Sequence, residues 1–258
     1  MNDSLYIAAT GMQAQQLNVN TTANNLANML TPGFKAGRVN FQDMVHQMGH
    51  PTSADNEGNL QQAHGIGVNV SSLSTLFALG DLQKSTGPLD IAIQGSGFLE
   101  VTMPDGSHAY SRGGSLQVNA DGFLTTPDGS ALKPSIHVGA DAKVVTITAD
   151  GKVQVQTSAQ GAAVEVGSIE MSNFADPSTL NALGQNLYKP TAKSGDPVYG
   201  KPGDNGMGTI SQGYLEASNV NMVNEMVNLM TAQRAYEMNV KVIQASDEML
   251  GMSNNLRR

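Results

Sequence analysis

Leu5, Met12, Val19 and Leu26 recur at intervals of seven near the start of the chain, and Met222, Leu229, Tyr236, Ile243 and Leu250 recur at the same interval near its end. A seven-residue repeat keeps an apolar seam on one side of a helix, so both segments are expected to form helices that pack on other helices. The first should start at Asp3 or Ser4, either able to cap free N–H groups, and stop at Thr31-Pro32-Gly33, a length of about 40 Å. The second should start near Ser218-Asn219 and run to about Leu256, roughly 55 Å.

Between them the pattern changes. Phe34 to about Leu82 is rich in Gly, Asn, Gln and Ser with short alternating pieces such as Val68-Asn69-Val70, and His46 to Gly67 reads as a long exposed loop. From Leu89 the period falls to two. Ile91, Ile93, Phe98, Leu99 and Val101 predict a strand pair or a kinked strand around Gly95-Ser96-Gly97. Asp-Gly steps at Asp105-Gly106, Asp121-Gly122, Asp128-Gly129 and Asp150-Gly151, each between strand-like residues, supply the positive φ that tight hairpin turns demand. Gly195 to Gly213 reads as loose, and Gln212 to Glu216 as a strand returning beside the early extended segment.

The expected fold is α+β, with paired terminal helices, an inserted antiparallel β domain and an extended β-rich connector. Its boundaries are 1–34 for the first helix, 35–85 for the connector with its loop, 86–190 for the β domain, 191–216 for the returning connector and 217–258 for the last helix.

Charge adds a further constraint. Through Phe34 the only charged side chain is Asp3; the other polar positions are amides and hydroxyls, among them Gln13, Asn18, Asn24, Asn25 and Asn28. Amides tolerate burial when hydrogen-bonded, whereas unpaired charges do not, so the outer face of this helix is itself suited to burial. A lone pair of such helices would leave that face exposed, and residues 1–34 and 217–258 are therefore expected to be labile in the isolated chain.

The whole chain of 258 residues has only 14% charged side chains and a formal charge of −8, with no Lys or Arg stripe for phosphates, which excludes nucleic acid as a partner. There is no cysteine, so neither disulfides nor thiolate metal sites arise. No apolar run is long enough to span a bilayer. The N-terminus lacks a basic region, its first Lys being Lys35, so no cleavable secretory signal is expected.

Candidates for chemistry reduce to simpler readings. His46 and His50 stand at a metal-binding i,i+4 spacing, but Gly49 and Pro51 oppose a helix there and no third ligand is near. Gly65-Ile66-Gly67 and Gly95-Ser96-Gly97 lack the third glycine and helix of a nucleotide fingerprint. Asp121 and Asp128 could pose as paired glycosidase carboxylates, yet both sit in turns. No cofactor, metal or catalytic group is expected, and no enzymatic activity. Fourteen Met residues, with Met222, Met226, Met230, Met249 and Met252 on the last helix, suit adaptable contacts.

Three blocks carry a resemblance. Asn24-Asn25-Leu26-Ala27-Asn28 followed by Thr31-Pro32-Gly33-Phe34-Lys35 resembles the N-terminal signature of the bacterial flagellar rod and hook proteins. Asp90-Ile91-Ala92-Ile93-Gln94-Gly95-Ser96-Gly97-Phe98 and Tyr110-Ser111-Arg112-Gly113-Gly114-Ser115 are similar to the middle of the same family. Gly213-Tyr214-Leu215-Glu216-Ala217-Ser218-Asn219-Val220, Gln233-Arg234-Ala235-Tyr236-Glu237 and Asp247-Glu248-Met249-Leu250 are similar to its end. The blocks stand in order and cover nearly the whole chain. Length and a single β domain are most similar to the distal-rod members, with another rod, hook or hook-junction subunit of the same family as the alternative.

The resemblance implies a structural axial subunit of the basal body, exported unfolded through the flagellar export apparatus. Such a subunit self-assembles as an open helical tube that crosses the periplasm, acting as drive shaft and channel wall. Implied partners are further copies, neighbouring rod and hook proteins, and ring bushing proteins around the rod. The assembly interface is expected on Leu5, Met12, Val19, Asn24, Asn25, Leu26 and Asn28, and on Met222, Met226, Leu229, Tyr236, Val240, Ile243 and Leu250. The rival from another class is a secreted β-rich binding protein with a dimerising coiled coil, which would form a closed dimer where the rod reading requires open-ended growth.

Overall fold

Two long helices occupy the ends of the chain: α1 (Asn2–Ala27) and α2 (Met222–Asn255). The structure is a computed structural model that describes residues 2–47, 63–139, 142, 144–157, 163–204 and 206–255. Its segments interleave into two units, the first made of Met1–Ala27, Gly37–Ser74 and Asn221–Arg258, the second of Asn28–Ala36 and Thr75–Val220. Helices at both ends with antiparallel sheets between them make the α+β class expected from the periodicities.

Both helices are shorter than expected, for local reasons. α1 stops at Ala27, where Asn28–Leu30 turn and the Thr31 N–H bonds to the Asn28 carbonyl at 3.1 Å, ahead of the helix-opposing Pro32. α2 starts after Asn221, whose side-chain oxygen accepts from the Asn224 N–H at 3.2 Å as a cap. The two residues expected to cap it are engaged elsewhere. Asn219 accepts from the Ala36 N–H at 2.8 Å and donates to the Leu76 carbonyl at 2.6 Å, and Ser218 accepts from the Val220 N–H.

In the first unit, β1 (Gly37–Gln47) and β2 (Ala63–Thr75) form a two-stranded sheet, stitched by Asn40, which donates to Ser72 Oγ at 3.1 Å and Ser74 Oγ at 3.0 Å. Both ends of the span expected as a long loop are strand, since His46–Gln47 belong to β1 and Ala63–Gly67 open β2. Residues 48–62, including His50, lie outside the described residues. Gly67, at φ +133°, passes so close to α1 that a side chain there would collide with Thr10.

The second unit carries the remaining strands in chain order: β3 (Leu82–Lys84), β4 (Asp90–Gln94), β5 (Phe98–Thr102), β6 (His108–Ser111), β7 (Gly113–Ser115), β8 (Gln117–Val118), β9 (Leu124–Thr125) and β10 (Ala131–Lys133). They are followed by β11 (Val144–Ile147), β12 (Lys152–Gln156), β13 (Val164–Ser168), β14 (Met171–Asn173), β15 (Asn181–Gly184), β16 (Leu187–Lys189), β17 (Val198–Gly200), β18 (Thr209–Gln212) and β19 (Tyr214–Glu216). The largest sheet runs β15-β16-β6-β5-β10-β9-β8, with β14 bridging β5 to β17; smaller sheets are β11-β12-β13, β18-β4-β7 and β19-β3. Ile91, Ile93, Leu99, Val101, Leu124, Leu132 and Met171 pack in the main core, and Phe77, Phe98, Tyr110, Phe174 and Tyr188 form an edge-to-face aromatic cluster.

Three expectations need correction here. The chain from Gly195 to Gly213 is not loose, since β17 pairs with β14 and β18 with β4. Gly95 to Gly97 separates two strands of different sheets, so β4 and β5 are neither one kinked strand nor a pair. All four Asp-Gly turns are alike, but only the glycine of each has positive φ, at +81°. In each, the glycine N–H bonds three residues back and a second bond closes the loop, as in Gly106 N–H to the Met103 carbonyl and Met103 N–H to the Ser107 carbonyl. That is a type I turn ending in a glycine bulge, the three-residue solution rather than the two-residue one.

Candidate assembly interface

α1 and α2 run antiparallel along each other. Ser4 Oγ lies 3.2 Å from Ser246 Oγ, a side chain at Gly11 would meet the Asn239 amide at 2.8 Å, and Asn25 Nδ2 donates to Glu225 Oε2 at 3.3 Å. These residues fall on a single seven-residue register in each helix, in steps of seven or fourteen, and Ala232, 2% exposed, stands on the same register in α2. The lane of closest approach is therefore made of Ser, Gly, Ala, Asn and Glu. The large apolar residues of the expected seam flank it: Leu5, Met12, Val19, Leu26, Leu229, Val240, Ile243 and Leu250 are half-buried. Seven was the right period, but the phase differed, because small and amide residues pack closest while adding little to an apolar pattern.

Asn25 is the best-held of the amides. It is buried, its Nδ2 donates to the Gly37 carbonyl at 2.9 Å, and its Oδ1 accepts from the Gly37 N–H at 2.9 Å. One side chain thus satisfies both backbone groups at the root of β1 as a neighbouring strand would. Asn28 is half-buried and accepts from the Thr31 hydroxyl at 3.3 Å, whereas Asn24 is exposed.

Met222, Met226 and Tyr236, expected in the interface, are exposed in the single chain. They belong to a broad apolar surface on α2 that also holds Val223, Val227, Met230, Met238, Val242, Met249 and Met252, with Val223 67% exposed and Met238 65%. Ordinary soluble surfaces do not concentrate apolar side chains along one helix in this way. On the other helix, α1 and the β1–β2 sheet enclose a groove of about 540 Å³ whose lining includes Tyr6, Gln13, Leu17, Met44, Val68 and Val70 and, among the described residues, contains no charged side chain.

The second unit holds a buried ionic centre for which the sequence showed no separate signal. Lys35 Nζ lies 2.5 Å from Glu216 Oε1 and donates to the Ala78 carbonyl at 2.8 Å; the same Oε1 accepts from the Gly80 N–H at 2.8 Å. Arg112 stands with its Nε 3.8 Å from Glu216 Oε2, and its Nη1 and Nη2 donate to the Gly97 and Gly95 carbonyls at 2.8 and 2.9 Å. Positive φ at Gly95 and Gly97 turns the backbone into this cradle, which is what the G-x-G piece does here. Burial lowers the pKa of both Lys35 and Arg112, the nearby Glu216 acting against it. Among the described residues, no group of three His, Asp or Glu side chains could hold a metal, and no helix is long and apolar enough to cross a membrane.

Comparison with known proteins follows the same three blocks. Residues 5–35 match the family model of the flagella basal body rod protein, 92–155 that of the flagellar hook protein FlgE/F/G D1 domain, and 211–256 that of the flagellar basal body rod FlgEFG protein C-terminal. Each matched segment supplies one member of the ionic centre: Lys35, Arg112 and Glu216. The chain is 41% identical over 264 residues to the flagellar basal-body rod protein FlgG of Borreliella burgdorferi, covering 100% of both. It is 42% identical to that of Caulobacter vibrioides, covering 98% of this chain and 99% of the relative. It is 35% identical to that of Bacillus subtilis, covering 99% of each.

Proposed function

The chain belongs to the flagellar basal-body rod protein family as a structural, non-enzymatic rod subunit, and from that premise we propose that it assembles with copies of itself into an open helical tube. Family membership implies assembly with rod and hook subunits. The observation that carries self-assembly is the row of half-exposed Met and Val side chains along α2, beside an α1 that bears one charge in 26 residues. Both helices present surface suited to burial that their mutual packing leaves open. Because the two exposed surfaces differ, a contact between copies is heterologous, the kind that grows into an open filament where its rotation closes no ring.

In this reading the tube is the part of the rod nearest the hook, it carries torque by packing alone, and its subunits cross the membrane through the export apparatus. The interface comprises the heptad residues of both helices together with Asn24, Asn25, Asn28, Met226 and Val240. Ring bushing proteins would meet the sheets of the second unit.

Electron microscopy of the concentrated full-length protein tests the reading. Uniform tubes of indefinite length are expected, and Met226→Asp/Met230→Asp should abolish them while leaving the unfolding transition of the β sheets unchanged. A closed dimer that persists at every concentration, with and without isolated basal bodies as template, would sink it in favour of a dimerising coiled coil.

A further inference from the structure

Resting on that self-assembly reading, the geometry points to a specific pairing: the groove between α1 and the β1–β2 sheet receives the first three turns of α2 from another copy. The occupant follows from charge. Among the described residues, the groove lining, with Tyr6, Gln13, Leu17, Met44, Val68 and Val70, carries no Lys, Arg, Asp, Glu or His. A charged surface docked there would lose its hydration with nothing to pair against.

Met222 to Thr231 is the stretch of α2 that meets this condition. Its only charge is Glu225, which already accepts from Asn25. Met222, Val223, Met226, Val227 and Met230 are each about half exposed or more. Beyond Thr231 the helix carries Arg234, Glu237, Lys241, Asp247 and Glu248, so its later turns fit the groove poorly. Met and Gln side chains suit such a contact, since flexible thioethers adapt to an irregular wall and amides supply hydrogen bonds without net charge.

The occupant cannot be the same molecule. Contacts of Gly11 with Asn239 and of Ser4 with Ser246 place Gln13 opposite residues near 237. Met226 is then eleven residues away along the helix, roughly 16 Å at 1.5 Å per residue. The contact therefore joins one face of one copy to a different face of the next, which is the head-to-tail relation an open tube needs.

The absence of cysteine makes the test clean. The full-length Gln13→Cys/Met226→Cys chain, assembled and then oxidised, should give a ladder of covalent dimers, trimers and higher multimers. Neither single variant should do so, because each cysteine meets a surface that lacks one. An intramolecular bond is excluded, as a disulfide needs Cα atoms within about 7 Å. Leu17→Cys/Val223→Cys is a second pair along the same contact, used if the first fails to assemble. Tubes visible by electron microscopy that yield no ladder from either pair would overturn the pairing and leave self-assembly standing. Failure of the unsubstituted chain to form tubes, alone or on isolated basal bodies, would overturn both.

Discussion

Lys35 and Glu216, 181 residues apart in the chain, meet at 2.5 Å with both side chains withdrawn from solvent, and Arg112 stands on the other carboxylate oxygen. One carboxylate thus faces two buried cations, which also donate one hydrogen bond to each of the carbonyls of Ala78, Gly95 and Gly97. Such a centre adds little net stability over an apolar core of the same shape, but it is costly to leave half-made.

Glu216→Gln keeps the shape and removes the only negative charge. It is expected to cost about 3–5 kcal/mol, the penalty of an uncompensated buried cation. Lys35→Met/Glu216→Met should cost clearly less than its two single changes added together, since Glu216→Met alone strands both Lys35 and Arg112 whereas the double change strands Arg112 alone. Urea unfolding followed by circular dichroism reads this out, and additive costs would show that the pair is not coupled.

Asn25→Asp is close to isosteric yet should be disproportionately harmful. The amide donates to the Gly37 carbonyl and to Glu225 Oε2; a carboxylate donates to neither and faces Glu225 with a like charge. A loss of about 2–4 kcal/mol is expected from two missing hydrogen bonds and the buried charge. Adding Glu225→Gln should restore part of it. Helix content at 222 nm during thermal unfolding measures both, and no recovery in the double variant would place the damage at Gly37 alone.

Much of this fold was legible because its signals are periodic or local. Heptads marked α1 and α2, alternation marked β4 and β5, and Asp-Gly steps marked four hairpin loops at the right places. The helix seam was legible only to within its phase, because Ser4, Gly11, Ala232, Asn239 and Ser246 approach closely by being small and carry little hydrophobic signal. The ionic centre was not legible at all. Lys35, Arg112 and Glu216 are single charges in three distant segments, and only the folded chain brings them together. A retrospective signal existed, since each of the three resemblance blocks contains one of them in an otherwise nearly uncharged stretch.

Amide exchange should divide the chain by its units. Strands β4 and β5, with Ile91, Ile93, Leu99 and Val101 wholly buried, are expected to exchange slowly in the monomer. α1 and α2 rest on a narrow lane of small side chains, with Val223, Met238 and Met252 in water, and should exchange at least tenfold faster, becoming protected on assembly. Mass spectrometry at low concentration and again on pelleted tubes compares the two states. Slow exchange throughout both helices in the monomer would refute the coupling of helix order to assembly.

Alkaline pH should unfold the β sheets through the aromatic cluster. Burial pushes the Tyr188 phenol up from 10.0 to about 12, and raises Tyr110 as well, helped by its hydroxyl lying 3.4 Å from that of Tyr199. A folded-state pKa above the unfolded one means that the native state holds its proton longer. The stabilisation is therefore fully present below pH 10 and is lost as pH rises from 10 towards 12. For Tyr188 the loss amounts to on the order of 2–3 kcal/mol, from about 1.4 kcal/mol per unit. Lys35 acts in the opposite sense, because its lowered pKa makes folding easier as the pH approaches 10.5, so the net fall should begin late. Absorbance of tyrosinate at 295 nm and the near-ultraviolet dichroism should change together in that window, and Tyr188→Phe should move the dichroism transition to higher pH. Ionisation of Tyr188 with the dichroism unchanged would show that its phenol reaches water in the folded state.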